Sequence, residues 1–434
     1  MRTKILLITL LSGLLLFGCK VTEEKISLWK STQAGPQKIA EVLSDSEAPV
    51  ELRSAAAIAL IEIKQHALLT ESLEKISKEE ADNVIYTAVP SLTAQVKGNP
   101  SDSADLASEQ IAAKDGLFLL YEFAGPKSKD AVQQTLVDWC TEGDFASRER
   151  AGFNIRVIIK KIGAPVYTAL VKKLTIDNNG IEPVAKLLRA SEDKPILAAA
   201  SKQIAAELKG NLGKFRKTHL RAAAIIGGAP VGDFLVGVAT DNTLNDELRK
   251  YALRAYSVAL EDGSIAPTES QLIPLVAMAE NTALDKYQRE EVYLTLAQID
   301  LPQSVLALEK LLSSKEFFWR MVGARCLLRL DGNTHLTTVL QSKRITTDAE
   351  ETGEFIALIA KFPKIKSALI AALQSSHPYS VAIAINALAL MGGTDALAAL
   401  KKYQTSTVRL PRLFSTKTVG DAATAAIDAI EKKG

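Results

Sequence analysis

Cysteine is almost missing from this chain, with three in 434 residues, at positions 19, 140 and 326. Cys140 and Cys326 stand 186 residues apart in apolar runs. A disulfide framework is therefore excluded, and both are expected as buried free thiols, since unpaired cysteine behaves as a small hydrophobe. Histidine is as scarce: His66, His219, His335 and His377 lie far apart, and neither His-Glu-x-x-His nor Cys-x-x-Cys occurs. No zinc site of the usual spacing can be written. Aromatics are only 6% of the residues, and glycine and proline together fill 39 positions (24 and 15). That excludes collagen-like and low-complexity classes. Charge of one sign is lacking too, with 52 Lys and Arg against 50 Asp and Glu. No global field draws such a protein onto nucleic acid. No Gly-x-x-x-x-Gly-Lys loop, Gly-x-Gly-x-x-Gly turn or Gly-x-Ser-x-Gly elbow is present, so no catalytic, cofactor-binding or metal residue is expected. Glu269-Ser270 continues as Gln271-Leu272-Ile273-Pro274, which fails the segment expected of an α-superhelical lytic transglycosylase.

What is present begins at the N-terminus. Arg2 and Lys4 precede a nearly unbroken apolar stretch, Ile5 to Phe17, too short for the roughly 20 residues that span a bilayer. This is the plan of a signal peptide. It closes on Leu16-Phe17-Gly18-Cys19, which resembles the lipobox of bacterial lipoproteins, although Phe17 is bulkier than the usual residue there. The resemblance implies diacylation of Cys19 and cleavage before it. Lys20, rather than Asp, follows, a pattern that implies delivery to the outer membrane, facing the periplasm. Residues 1–18 are thus read as a lipoprotein signal peptide and 19–35 as the lipidated cysteine with a polar tether.

Beyond the tether the chain repeats itself. Ile159 to Pro165, Ala224 to Pro230 and Ala389 to Thr394 each end an apolar-periodic stretch on glycine and lead into a second one. Glycine suits that place because it adopts the left-handed conformation that closes a helix. Equivalent turns fall at Gly263, Asp300, Gly332, Pro363 and Gly393, spaced 37, 32, 31 and 30. Upstream, Gly125, Gly163, Lys194-Pro195 and Gly228 continue the ladder, with an earlier turn near Lys64-Gln65. The period is that of a two-helix unit. Strand signals are poor throughout.

Glu51 to Leu60, Glu247 to Ala255 and Trp319 to Leu328 share an arginine (Arg53, Arg249, Arg320), small residues one turn later, and then a leucine or similar. This pattern resembles HEAT repeats, in particular the short-period subclass seen in phycobilin lyases. The resemblance implies an all-α fold, an α-solenoid of about eleven two-helix HEAT-like repeats over residues 36–434. It also implies that the arginine pairs with an acid of the interhelical turn: Asp45 or Glu47 for Arg53, and Asp246 for Arg249. The stretch from Tyr379 to Ala384 lacks the arginine. Lys97 to Ala104, Asp177 to Pro183 and Thr346 to Thr352 read as protruding polar loops. Val419 to Lys433 reads as an amphipathic capping helix, apolar at Val419, Ala422, Ala423, Ala426, Ile427 and Ile430.

One basic cluster stands out, Lys209, Lys214, Arg216, Lys217 and Arg221, interleaved with Phe215 and His219. Outside the cytoplasm its partner would be anionic head groups, polymers or proteins, not nucleic acid. Lys214, Arg216, Lys217 and Arg221 are the candidate anionic-partner patch; a solvated helix face is the competing reading. The function expected is that of a non-enzymatic, lipid-anchored scaffold binding other envelope proteins, without a small-molecule cofactor. A regulatory or ligand-binding lipoprotein of cell-wall synthesis is the alternative, with a hydrolase after it.

Overall fold

The computed structural model describes residues 21–98, 108–142, 148, 151–342 and 345–432. The signal peptide, Cys19 and most of the 97–104 loop lie outside the described residues. Among the described residues there are 23 α-helices and, in place of strands, a single isolated bridge between Arg409 and Thr418. None of these helices is long and apolar enough to cross a membrane.

The chain divides into two compact units, at Ile196 and Leu197. In the first, the helices are α1 (Glu23–Trp29), α2 (Gly35–Ser44), α3 (Val50–Glu62), α4 (His66–Glu74), α5 (Lys78–Lys97), α6 (Ser108–Leu120), α7 (Lys129–Thr141), α8 (Ile155–Ile162), α9 (Ala164–Lys172) and α10 (Ile181–Arg189). Helix α11 (Lys194–Gly210) begins in the last residues of the first unit and continues into the second, where it is followed by α12 (Lys217–Ile226), α13 (Ala229–Thr240), α14 (Asp246–Glu261), α15 (Glu269–Glu280), α16 (Lys286–Leu296), α17 (Pro302–Leu311) and α18 (Phe317–Gln341). The chain ends with α19 (Ala349–Ala360), α20 (Lys366–Ala372), α21 (Pro378–Met391), α22 (Thr394–Lys401) and α23 (Val419–Glu431).

Packing is local in sequence within each unit. In the first, α2 lies against α3 and α4, α3 against α5, and α7 against α8 and α9. In the second, α13 lies against α14 and α15, α15 against α16 and α17, and α21 against α19 and α23. A helix that packs on the next one and the one after is the signature of an α-solenoid, in which each repeat buries its apolar face only against its neighbours. The turns fall where the glycine and proline ladder places them. Gly163, Gly228, Gly263 and Gly393 all have positive φ, and the turn expected at Gly332 is a break at Asp331 (φ −154°, ψ 96°) within α18. The C-terminal helix buries the six apolar residues expected of the cap.

Three expectations need correction. Residues 23–29, expected within a polar tether, form α1, which packs on α2 and α3. Thr22 caps it, Glu23 and Glu24 occupy its first turn, and Ile26 is only 2% exposed. Lys30, just after it, pairs with Glu62 of α3 at 2.7 Å, and Lys38 of α2 lies over the Trp29 ring, so a short helix is fixed by contacts to its neighbours that a count of polar residues does not register.

The repeated arginines do not pair with the acids of their turns. Arg53 Nε donates to the Leu43 carbonyl at 3.1 Å, Arg249 Nε to Ala239 at 3.2 Å and Arg289 Nε to Ala279 at 2.8 Å, ten residues back each time. Those carbonyls end the preceding helix, where no intrahelical donor is left and the helix dipole favours a cation. Asp45 accepts from the Glu47 backbone instead, and Asp246 pairs with Lys250 at 2.8 Å. The acid that Arg53 does reach is Glu80, one repeat on, at 3.2 Å.

Thr346 to Thr352 is not a protruding loop. Thr346 and Thr352 are buried, their hydroxyls hydrogen bonded to each other at 2.9 Å, and Asp348 caps α19 by accepting from the Glu351 backbone.

Candidate functional site

In the second unit a groove of about 540 Å3 is lined by α11 and the turn after it on one side and by α13 and the turn after it on the other. Its apolar lining comes from Ala205 and Leu212 on one side and from Pro230, Phe234, Val238 and Leu244 on the other. Leu212 is 53% exposed, a large apolar side chain left in solvent at the groove's edge. Lys202 and Lys209 edge the α11 wall, while Asp233 and Asp241 edge the opposite wall. The groove thus has an apolar floor between a cationic and an anionic rim.

The anionic rim is held from behind. Gln271 Nε2 donates to Asp233 at 2.8 Å, and its Oε1 accepts from the buried Tyr256 hydroxyl at 2.9 Å. Gly232 makes this possible, because a Cβ there would lie 2.6 Å from Gln271 Nε2. Asp241 accepts from the Thr243 hydroxyl at 2.7 Å and from its backbone at 2.9 Å, and these bonds hold its carboxyl below the usual range. Phe234 is fixed by an edge-on contact with Phe215, centroids 5.6 Å apart. A carboxylate pinned and held ionised in this way, as Asp241 is, suits recognition of a cation.

The basic cluster divides. Lys209 belongs to the groove rim. Lys217 lies over the Tyr251 ring, 4.3 Å from its centroid. Lys214, Arg216 and Arg221 are exposed, and no described cavity gathers them. Phe215 and His219 are buried, and His219 Nδ1 accepts from the Arg216 backbone at 2.9 Å, so neither offers a ring for a base to stack on.

Three titratable groups away from the groove are deeply buried. Burial pushes the Cys140 and Cys326 thiols up to about 12, and both are free. Lys114 is fully buried in α6, its pKa lowered by that burial against the opposing pull of Asp115, with which it pairs. It also donates to the Phe153 carbonyl at 2.6 Å and lies 4.8 Å from the Trp139 ring centroid. Among the described residues no group of three or more His, Cys, Asp or Glu is placed to hold a metal.

Sequence reasoning missed the groove, which depends on a gap between two helices that are each of ordinary pattern. The signal for it was Leu212, which with Phe215 interrupts the polar stretch from Lys209 to Lys217.

No protein-family model matches the chain, and no curated protein matches it. Solved structures do. An engineered protein is 17% identical, covering 95% of this chain and 99% of its own, with a TM-score of 0.20. The Kap95:Nup1 complex gives 13% identity over 95% of this chain and 68% of that one, with a TM-score of 0.30. Importin beta gives 12% identity over 88% and 61%, with a TM-score of 0.27. At such scores these likenesses carry no functional information about this chain.

Proposed function

We propose that this protein is a lipid-anchored scaffold of the bacterial cell envelope, tethered through Cys19 and working by binding, without catalysis. The observation that carries the binding role is the groove between α11 and α13, with its apolar floor and oppositely charged rims. It suits an amphipathic segment of an envelope protein whose apolar stripe faces Leu212, Phe234 and Val238. Acidic side chains of that segment would lie toward Lys202 and Lys209, and basic ones toward Asp233 and Asp241. This charge order fixes the direction in which the segment lies as well as its identity. The anchor reading is supported by the Leu16 to Cys19 motif after an apolar stretch too short to span.

The test has two arms. Photo-crosslinkers at Leu212 and Phe234 in cells should capture the same partner, and one at Tyr86, exposed in the first unit, should not. Lys202→Glu with Lys209→Glu should abolish that product while leaving the helical content unchanged. Capture from Tyr86 as efficient as from the groove positions would remove the groove from the account. Separately, Cys19→Ala should abolish fatty-acid labelling and release the chain from the membrane fraction.

A further inference from the structure

The cluster at 209–221 is not the only cationic stretch without acids in the second unit. From Ala396 to Gly420 the chain carries Lys401, Lys402, Arg409, Arg412 and Lys417 and no acid at all, between Asp395 and Asp421. The structure makes this segment a fixed object. Leu410 N donates to the Lys417 carbonyl and Val419 N to the Val408 carbonyl, both at 2.9 Å, pairing Arg409 with Thr418 across a short antiparallel hairpin. A turn closed by Phe414 N on the Pro411 carbonyl at 3.1 Å forms its tip. Phe414 rests on Tyr379, centroids 5.7 Å apart, and Gly420 N donates to Ser406 at 3.0 Å, where a Cβ would come within 2.6 Å of the Gln404 carbonyl.

With its apolar side held to the body, the hairpin turns its cations outward. Lys402, Arg409, Arg412 and Lys417 are all exposed, and beside them Val408 is 51% exposed. Lys401 reaches Glu431 at 3.6 Å, and Asp421 is engaged with the Thr418 backbone at 3.0 Å. Arg409, Arg412 and Lys417 have no carboxylate partner among the described residues. None of these cations lines the cavities near the hairpin, at Leu340, Gln341 and Tyr379.

We propose that this hairpin is a docking surface for a bilayer that carries anionic phospholipid. A backbone-paired hairpin with dispersed exposed cations and an exposed valine matches a plane of mobile phosphate head groups, whereas an acidic protein would need fixed counter-charges at matching positions. Basic residues near such a surface act nearly additively and fall off within a Debye length. The inference is independent of the N-terminal anchor, since the contact is made by the other end of the chain.

The experiment uses the chain from Val21 onward, which contains every described element and no lipid. It is co-sedimented with vesicles of phosphatidylglycerol in phosphatidylcholine and with vesicles of phosphatidylcholine alone. Binding to the first only, weakening as salt rises, is expected. Arg409→Gln, Arg412→Gln and Lys417→Gln together should lower the partition coefficient roughly a hundredfold, at about fivefold per charge. Lys214→Gln with Arg221→Gln, at the other basic cluster, should leave it unchanged. Equal binding to both vesicle types, or a triple variant with native circular dichroism and undiminished binding, overturns the proposal. Tighter binding to soluble poly-glutamate than to vesicles of equal charge concentration overturns it in favour of an acidic protein. Because Cys19 is absent from the experiment, its outcome is separate from that of the anchor.

Discussion

Arg320 and Glu351, from consecutive repeats, are joined by a two-pronged ion pair at 3.0 and 2.9 Å, with Arg320 only 3% exposed. The same guanidinium also donates to the carbonyls of Ser314 and Lys315 and, through Nε, to Ile345 at 3.0 Å. One side chain near the start of α18 thus ties the loops on both sides of that helix to the first turn of α19. Breaking a buried pair on one side leaves an unmatched charge, which costs more than the pair contributes when intact. Glu351→Gln should therefore destabilise the second unit by about 2–4 kcal/mol. Arg320→Met with Glu351→Leu should cost less than Glu351→Gln alone, as read from denaturant melts. A double variant worse than the single one would refute this assignment.

Asp82 in α5 collects four hydrogen bonds from the start of α7: the backbone N–H groups of Gly125, Lys127 and Ser128, each at 3.0 Å, and the Ser128 hydroxyl at 2.5 Å. Burial pushes its carboxyl pKa upward, but these four donors outweigh it and hold the value below the ordinary 3.8. A folded-state pKa below the unfolded one stabilises the fold above the unfolded value, and that stability is lost as pH falls through the folded value. Asp82→Asn should cost the first unit about 1–3 kcal/mol near neutrality. The difference from the native chain should shrink as pH falls below about 4. A difference that widens on acidification would contradict the linkage.

Gly323 lets α18 close on α17, since a Cβ there would lie 2.8 Å from Leu311 Cβ and 2.9 Å from the Leu308 carbonyl. Gly323→Val should cost about 2–3 kcal/mol through overpacking. In a series of nearest-neighbour interfaces the damage stays local. Amide exchange should quicken between residues 302 and 342 and remain native between 50 and 97. Uniform acceleration over both units would mean that they unfold as one.

Cys140 and Cys326 should be silent to thiol reagents in the folded chain from Val21 onward. Burial removes both access and the thiolate, each pKa being pushed up to about 12. Ellman's reagent should count two thiols in denaturant and none in buffer, and rapid labelling of either one in buffer would show local opening around it.

The helix pairs were legible because a turn every thirty-odd residues leaves glycine or proline behind, as at Gly163, Gly263 and Gly393. The capping helix was legible because its six buried apolar side chains share one face. Partners of long side chains were not. Arg249 reaches a carbonyl ten residues back, past the acid that sequence proximity suggests, because a guanidinium acts through the end of a long stem. The groove was illegible for a related reason: spacing along the chain records which residues are apolar but not how far apart two helices come to rest. The hairpin at 408–419 was missed by sequence reasoning, since nothing in its composition announced the backbone pairing that holds it together.

Helix α1 sets a length scale for the proposed anchor. With the chain folded from its Thr22 cap onward, only Lys20 and Val21 stand between that cap and Cys19. Fully extended, the three steps from Cys19 to Thr22 reach roughly 10 Å, against roughly 55 Å for the whole stretch from Lys20 to Gly35 if it were unfolded. A leash that short works as a rivet. The first unit would ride at the depth of the lipid phosphates, with little freedom to swing toward partners deeper in the periplasm. Its partners would have to come to the membrane to meet it, or be resident there already.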